Sequence, residues 1–243
     1  MTDLTRRNLL RLTAGLGSAT LLSGCGDGSW RIGSARASNG RDGHASYVYF
    51  TPAEVAFVDA AVARLIPTDA LGPGAAEAGV TVFIDRQLKG PYGQAVDWYM
   101  AGPWADGTEQ QGYQLKQTPA QLYRDAIQAI DDHCRKTFDQ KPFAALTADD
   151  QDGLLHDLEK GHPDLEAAHG KPFFQLLWQN TQEGYFADPL YEGNRGFAGW
   201  NLVGFPGPRY NYVDDIRRYG QPYPLPTVGL LGRDPSRRLG SAS

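Results

Sequence analysis

Four side chains between residues 162 and 169 are of the types that bind metal ions: His162, Asp164, Glu166 and His169. Imidazole and carboxylate groups suit zinc and related cations when three or four of them converge. The two histidines lie about two helical turns apart, but Pro163 interrupts any α-helix that would carry both on one face. His133 and Cys134 make a second pair, which is fewer ligands than zinc needs. Asp131-Asp132 and Asp149-Asp150 are sequence neighbours, and neighbours on a helix do not face one another. They read as solvated or capping carboxylates. Gly72-Pro73-Gly74-Ala75-Ala76-Glu77 has the outline of a dinucleotide-binding turn, but it follows a helix, holds Pro inside the turn and has Glu77 where a small residue belongs. The chain contains neither G-x-x-x-x-G-K-[S/T] nor G-x-S-x-G, the loops that cradle phosphate or present a nucleophilic serine. No acid, base and nucleophile converge on an active site.

The whole-chain chemistry narrows the classes further. Of 243 residues, 41% are hydrophobic and 21% charged, the balance of a globular protein able to bury a core. Formal net charge is −5, and loss of the first 24 residues, with Arg6, Arg7 and Arg11 against Asp3, takes it to −7. So acidic a chain has no electrostatic attraction to a phosphate backbone, which argues against nucleic-acid binding. The two cysteines, Cys25 and Cys134, cannot supply four thiolates to an iron–sulfur cluster, and without C-x-x-C-H the chain attaches no c-type haem. Ile130 and Phe138, four residues either side of Cys134, place that thiol on a buried helix face as a small core residue.

Residues 1–25 read as an address. Thr5-Arg6-Arg7-Asn8-Leu9-Leu10 precedes a mildly apolar stretch from about Leu12 to Leu22, too short for a bilayer core that needs ~20 residues. Paired arginines before apolar residues resemble the twin-arginine export signal, a receptor-read address for folded cargo. Leu22-Ser23-Gly24-Cys25 resembles a bacterial lipobox, in which Cys25 is acylated and becomes the mature terminus. Ala35-Arg36-Ala37 offers the alternative of signal-peptidase cleavage after Ala37. Residues 26–46, rich in Gly, Ser, Asn, Asp and Arg, read as a flexible tether. These features predict a periplasmic protein that associates with a membrane.

Residues 47–187 carry the signatures of an all-α domain. Thr51-Pro52-Ala53-Glu54 is a capping box with proline at the first helical position, followed by Val55, Val58, Val62, Leu65 and Ile66 up to the stop at Pro67. A second helix holds Val80, Phe83, Ile84 and Leu88 before Gly90. Thr118-Pro119-Ala120-Gln121 opens a third, with Leu122, Ala126, Ile130 and Cys134 at near-helical spacing. Thr147 opens a fourth with Leu154, Leu155 and Leu158, and a fifth runs from Pro172 through Phe173, Leu176, Leu177 and Thr181 toward Phe186. The connection 91–117 is long for a compact domain, and its Tyr92, Trp98, Tyr99, Trp104 and Tyr113 predict that it packs on something. The expected fold is therefore an irregular bundle of about five helices with a long aromatic loop.

Residues 188–243 differ in kind. Seven prolines and nine glycines in this stretch predict no regular helix beyond Pro189. Yet disordered tails are poor in aromatics, and this one carries Tyr191, Phe197, Trp200, Phe205, Tyr210, Tyr212, Tyr219 and Tyr223. Aromatics anchor protein interfaces. The segment reads as an extended docking arm, with the alternative that residues 188–215 fold back over the chain's own helices.

Two blocks of sequence carry a resemblance. One runs from Phe173-Phe174-Gln175-Leu176-Leu177 through Thr181-Gln182-Glu183-Gly184-Tyr185-Phe186-Ala187-Asp188-Pro189 and Tyr191-Glu192-Gly193-Asn194-Arg195 to Gly199-Trp200-Asn201-Leu202-Val203-Gly204-Phe205-Pro206-Gly207. The other holds Leu65-Ile66-Pro67-Thr68-Asp69, Gly74-Ala75-Ala76-Glu77-Ala78-Gly79-Val80 and Ile84-Asp85-Arg86. Together they resemble the gluconate 2-dehydrogenase subunit 3 family over roughly residues 50–215. The resemblance implies a non-catalytic small subunit without a cofactor of its own. Its partners would be a large subunit that carries FAD and oxidises a sugar or sugar acid, and a multi-haem cytochrome c subunit that takes the electrons. The small subunit would bring the large one through the twin-arginine machinery and support its maturation. Arg6 and Arg7 would then be the export signal, Cys25 the lipid anchor, and Tyr191, Asn194, Arg195, Trp200, Phe205, Tyr210 and Tyr212 the partner interface. The alternative is a free-standing periplasmic metal-binding protein or enzyme using His162 and His169. One departure stands out: Glu192 occupies a position in the Y-x-G-N-R turn where the family commonly has Gly. If that position needs positive φ, Glu is strained there.

Overall fold

Three threonines start three of the helices. In the computed structural model, which describes residues 46–105 and 107–232, Thr51 caps α1 (Pro52–Leu65), Thr118 caps α3 (Pro119–Thr137) and Thr147 caps α4 (Ala148–Lys160). Thr51 and Thr118 each make the reciprocal pair in which the hydroxyl accepts from the third helical N–H while Glu54 or Gln121 accepts from the threonine's own N–H. Each such cap satisfies donors that would otherwise be orphaned. The remaining long helices are α2 (Val80–Lys89) and α5 (Gly170–Phe186). Among the described residues there is no strand, so the fold is all-α, with the five expected helices in place.

Helix α5 is the centre of the domain and packs against α2, α3 and α4. The core that joins them is aromatic. Phe57 of α1 lies 4.6 Å from the Phe143 ring, and Tyr123 of α3 meets Phe173 of α5 edge-on at 5.3 Å. All four rings are fully buried. The stripe of α3 is buried as its spacing predicts, Cys134 included. That of α1 is rotated: Phe57, Val58, Ala61 and Val62 are buried, while Val55 and Leu65 lie at its edge.

The loop 91–117 folds onto α5 through three of its aromatics. Tyr92, Trp98 and Tyr113 form an edge-to-face series with centroids 5.8 and 5.1 Å apart. The Tyr92 hydroxyl reaches the buried Asn180, whose Oδ1 also accepts from Tyr123 at 3.2 Å. Tyr99 remains exposed.

The expectation of no regular helix after Pro189 is corrected by a short helix, α6 (Ala198–Val203), which packs on α5. Asn194 makes it possible. Its side chain is fully buried, donating to the Ala187 carbonyl and accepting from the Gly199 N–H, so it ties the start of α6 to the end of α5. Glycine is required at the contact: a Cβ on Gly199 would fall 2.1 Å from the Tyr185 carbonyl oxygen, and one on Gly193 2.3 Å from that of Gly184.

Candidate docking surface

Asp85 is a carboxylate with no exposed area. Its Oδ1 accepts from the N–H groups of Tyr49 and Phe50 and its Oδ2 from that of Val48, all at 2.8–2.9 Å. A buried carboxylate is tolerated only when it is fully hydrogen-bonded, and Arg86 completes the set. Arg86 donates from Nη1 to Asp85 at 2.9 Å, from Nη2 to the Ser46 carbonyl at 2.9 Å and from Nε to Glu192 at 2.6 Å. One dipeptide of α2 thus holds both the incoming segment 46–50 and the turn that leaves α5.

That turn is conformationally unusual. Glu192, Asn194 and Phe197 all have positive φ, at 70°, 47° and 58°. Side chains other than glycine visit this region at a cost. Asn tolerates it, and the two bonds of Asn194 explain its presence. Phe197 stacks on Trp200 at 5.4 Å. Glu192 has the positive φ that strains a side chain other than glycine. Its return is an ion pair with Arg86 that is half exposed on the Glu192 side. A left-handed non-glycine residue costs roughly 1 kcal/mol or more, and an exposed pair returns about 0.2–1 kcal/mol. The fold gains little or nothing from Glu192.

The residues expected at a partner interface separate into two groups. Asn194 and Trp200 are buried in the chain's own structure. The Trp200 indole donates to the Phe186 carbonyl at 2.7 Å and meets Phe205 edge-on at 5.0 Å, because a Trp N–H taken from water needs a partner. Residues 188–207 therefore fold back on α5. The second group faces outward. Tyr210 is fully exposed, Tyr191 half exposed, Phe205 40% exposed, and Tyr212 partly so. Arg195 is exposed too, its guanidinium lying over Gly79 while its N–H donates to the Ala78 carbonyl at 3.0 Å.

Most large apolar side chains left exposed among the described residues fall between Phe186 and Leu231, including Leu190, Leu202, Val203, Val213, Ile216, Tyr219, Leu230 and Leu231. The final segment is extended but held. Asp188 accepts from the N–H groups of Leu190 and Leu230, the Tyr212 hydroxyl donates to the Gly207 carbonyl, and Arg209 lies over the Tyr223 ring. Between this segment and α6 runs a groove of about 700 Å³ whose walls include Trp200, Phe205, Tyr212, Tyr223 and Leu225. Exposed aromatic and aliphatic side chains gathered in one segment make it the candidate surface for another molecule.

The other sequence candidates are placed elsewhere. His162 starts a 3-10 turn, Pro163–Ala168, its Nδ1 accepting from the Asp164 N–H at 3.4 Å. His169 precedes α5, and Gln117 of the aromatic loop donates to its Nε2 at 2.9 Å. Among the described residues no three His, Cys, Asp or Glu side chains are placed to hold a metal ion. The buried Cys134 thiol is pushed up to about 12 by desolvation, so it stays protonated. No helix among the described residues is long and apolar enough to cross a membrane. Arg6, Arg7, Cys25 and the tether up to residue 45 lie outside the described residues.

Sequence reasoning missed Asp85 and Arg86 as the organisers of this surface. The available signal was weak: an acidic residue in the middle of the apolar stripe Val80, Phe83, Ile84, Leu88. Residues 52–207 match the family model described as gluconate 2-dehydrogenase subunit 3, a match that includes the turn, α6 and the Asp85-Arg86 anchor. No curated protein matches the chain, and no solved structure does.

Proposed function

The chain belongs to the gluconate 2-dehydrogenase subunit 3 family, and from that premise we propose that it is a non-catalytic subunit that docks on, and escorts, the FAD-bearing large subunit of a sugar or sugar-acid dehydrogenase complex. The observation that carries this reading is the exposed aromatic and aliphatic face between Phe186 and Leu231. A segment tied down at Asp188, Gly207 and Tyr223 yet presenting Tyr191, Phe205 and Tyr210 outward is preorganised for association. Preorganisation lowers the ordering cost of binding. Aromatic side chains are the usual anchors of such interfaces.

The escort role follows from the leader together with this face. Twin-arginine export carries folded cargo, so a signal at Arg6 and Arg7 on one subunit serves any subunit already docked to it. Acylation at Cys25, or cleavage after Ala37 in its place, would decide whether the mature chain holds the complex at the membrane by one lipidated terminus. Electrons would pass from the flavin to a multi-haem cytochrome c subunit without crossing this chain's own chemistry. The test is the rigorously purified subunit: it should show no flavin absorbance and no sugar-dependent dye reduction. Dye reduction by the subunit alone would overturn the assignment.

A further inference from the structure

A second groove, of about 430 Å³, opens between the loop 91–117 and α5 and shares no residue with the face between Phe186 and Leu231. Its volume is that of a small-molecule site. One wall is aromatic, formed by Tyr92, Trp98 and Tyr113, the edge-to-face series of the loop. The other is a row of polar side chains on α5. Lys171, Gln175 and Gln179 stand four residues apart and so share one face of that helix. The loop adds Gln114. Among the described residues Lys171 is the one charged group in the lining.

The state of each polar group narrows what fits. The Tyr92 hydroxyl donates to Asn180 at 3.0 Å and the Tyr113 hydroxyl to the Gln117 carbonyl at 2.9 Å. Both rings are thereby fixed, and their donors are spent within the chain. The Gln114 amide donates to the Gln111 carbonyl and the Gln179 amide to Glu183. Those bonds orient both side chains and leave each amide oxygen as an acceptor with no partner among the described residues. Gln175 is exposed, and its amide has no partner among the described residues, so it offers donor and acceptor together. Amides facing fixed aromatic rings match a ligand with hydroxyls on its edge and an apolar C–H face. A proline-rich peptide also seeks aromatic grooves, but its carbonyls need donors, and the tyrosine hydroxyls here are already taken.

We propose that this groove binds a neutral hexose. The C–H face of the sugar would lie against the Trp98 and Tyr113 rings, whose π-systems are negative on their faces and attract polarised C–H groups. Gln114, Gln175 and Gln179 would take its hydroxyls. An amide donates and accepts at once, as each hydroxyl does, and hydroxyls leave water without penalty only where such partners wait for them. Docking and sugar binding use different residues, so either can fail alone.

Saturation-transfer NMR on the full-length subunit tests this with D-glucose, D-galactose, D-mannose and D-fructose, and with a proline-rich peptide in parallel. At least one hexose should show saturable transfer, strongest at the protons of its C–H face. Gln175→Ala and Gln179→Ala should each weaken that binding by about fivefold, the loss of one net hydrogen bond, while the free subunit unfolds at the wild-type temperature. Undiminished hexose binding in both variants would overturn the site, as would a loss matched by a lower unfolding temperature in both. No transfer to any of the four sugars, or saturable transfer to the peptide alone, would also overturn it. Tyr210→Ala should leave sugar binding unchanged whatever it does to subunit association, which keeps the failure of one reading distinct from that of the other.

Discussion

Asp85 gathers the N–H groups of Val48, Tyr49 and Phe50 on a carboxylate with no exposed area, and hydrogen bonds to a buried charge are among the strong ones. Asp85→Ala would leave those donors and Arg86 uncompensated, at about 3–5 kcal/mol. Hydrogen exchange should then show residues 48–50 deprotected; unchanged protection in a normally stable variant would contradict the anchor. Arg64 and Asp152 are a contrasting case. Two nitrogens of the guanidinium meet two carboxylate oxygens at 2.7 and 2.6 Å, but both side chains are substantially exposed. The hydrogen bonds from Arg64 hold the Asp152 carboxyl below its ordinary range. A carboxyl whose folded pKa is depressed contributes stability above its unfolded pKa, roughly 3.9, and loses it as pH falls through the folded value. Arg64→Ala should therefore lower stability at neutral pH by less than about 1 kcal/mol, given solvent screening. The gap from wild type should close as thermal unfolding is followed below pH ~4, and a gap that persists in strong acid would place the effect in packing.

At the scale of elements, the five long helices were legible because local rules and tertiary need agree. Thr51, Thr118 and Thr147 mark their own helices, and the apolar spacing of α3 is also its burial. The short helix α6 was not legible. Its support lies in side-chain bonds at its junction with the end of α5, from a buried Asn194 and a tryptophan bonded to the Phe186 carbonyl, while Gly and Pro content argued the other way. The same blindness put Trp200 and Tyr210 in one class, since aromatic type does not reveal which side of a turn a ring takes. Their variants should now diverge. Trp200→Ala removes a buried stack and should cost the free subunit about 3–5 kcal/mol. Tyr210→Ala should leave unfolding unchanged, within about 0.5 kcal/mol, and weaken association with the large subunit. Equal stability effects in calorimetry would show that the two rings are not on opposite sides of the surface.

If one address serves two subunits, replacing Arg6 and Arg7 together with Lys should leave this chain and the FAD-bearing subunit in the cytoplasm. Fractionation that finds wild-type dehydrogenase activity in the periplasm would separate export of the partner from this chain. The helical body supplies rigidity, α5 and the Asp85-Arg86 anchor fix the turn, and the segment beyond Phe186 presents the apolar face that no element of the described chain covers. We propose that another subunit covers it. The absorption spectrum and dye-reducing activity of what co-elutes with the tagged full-length chain from its native membranes should reveal a large subunit with flavin absorbance and sugar-dependent activity, present with the wild-type chain and depleted with Tyr210→Ala. Elution of the wild-type chain without any flavin-bearing subunit would contradict it.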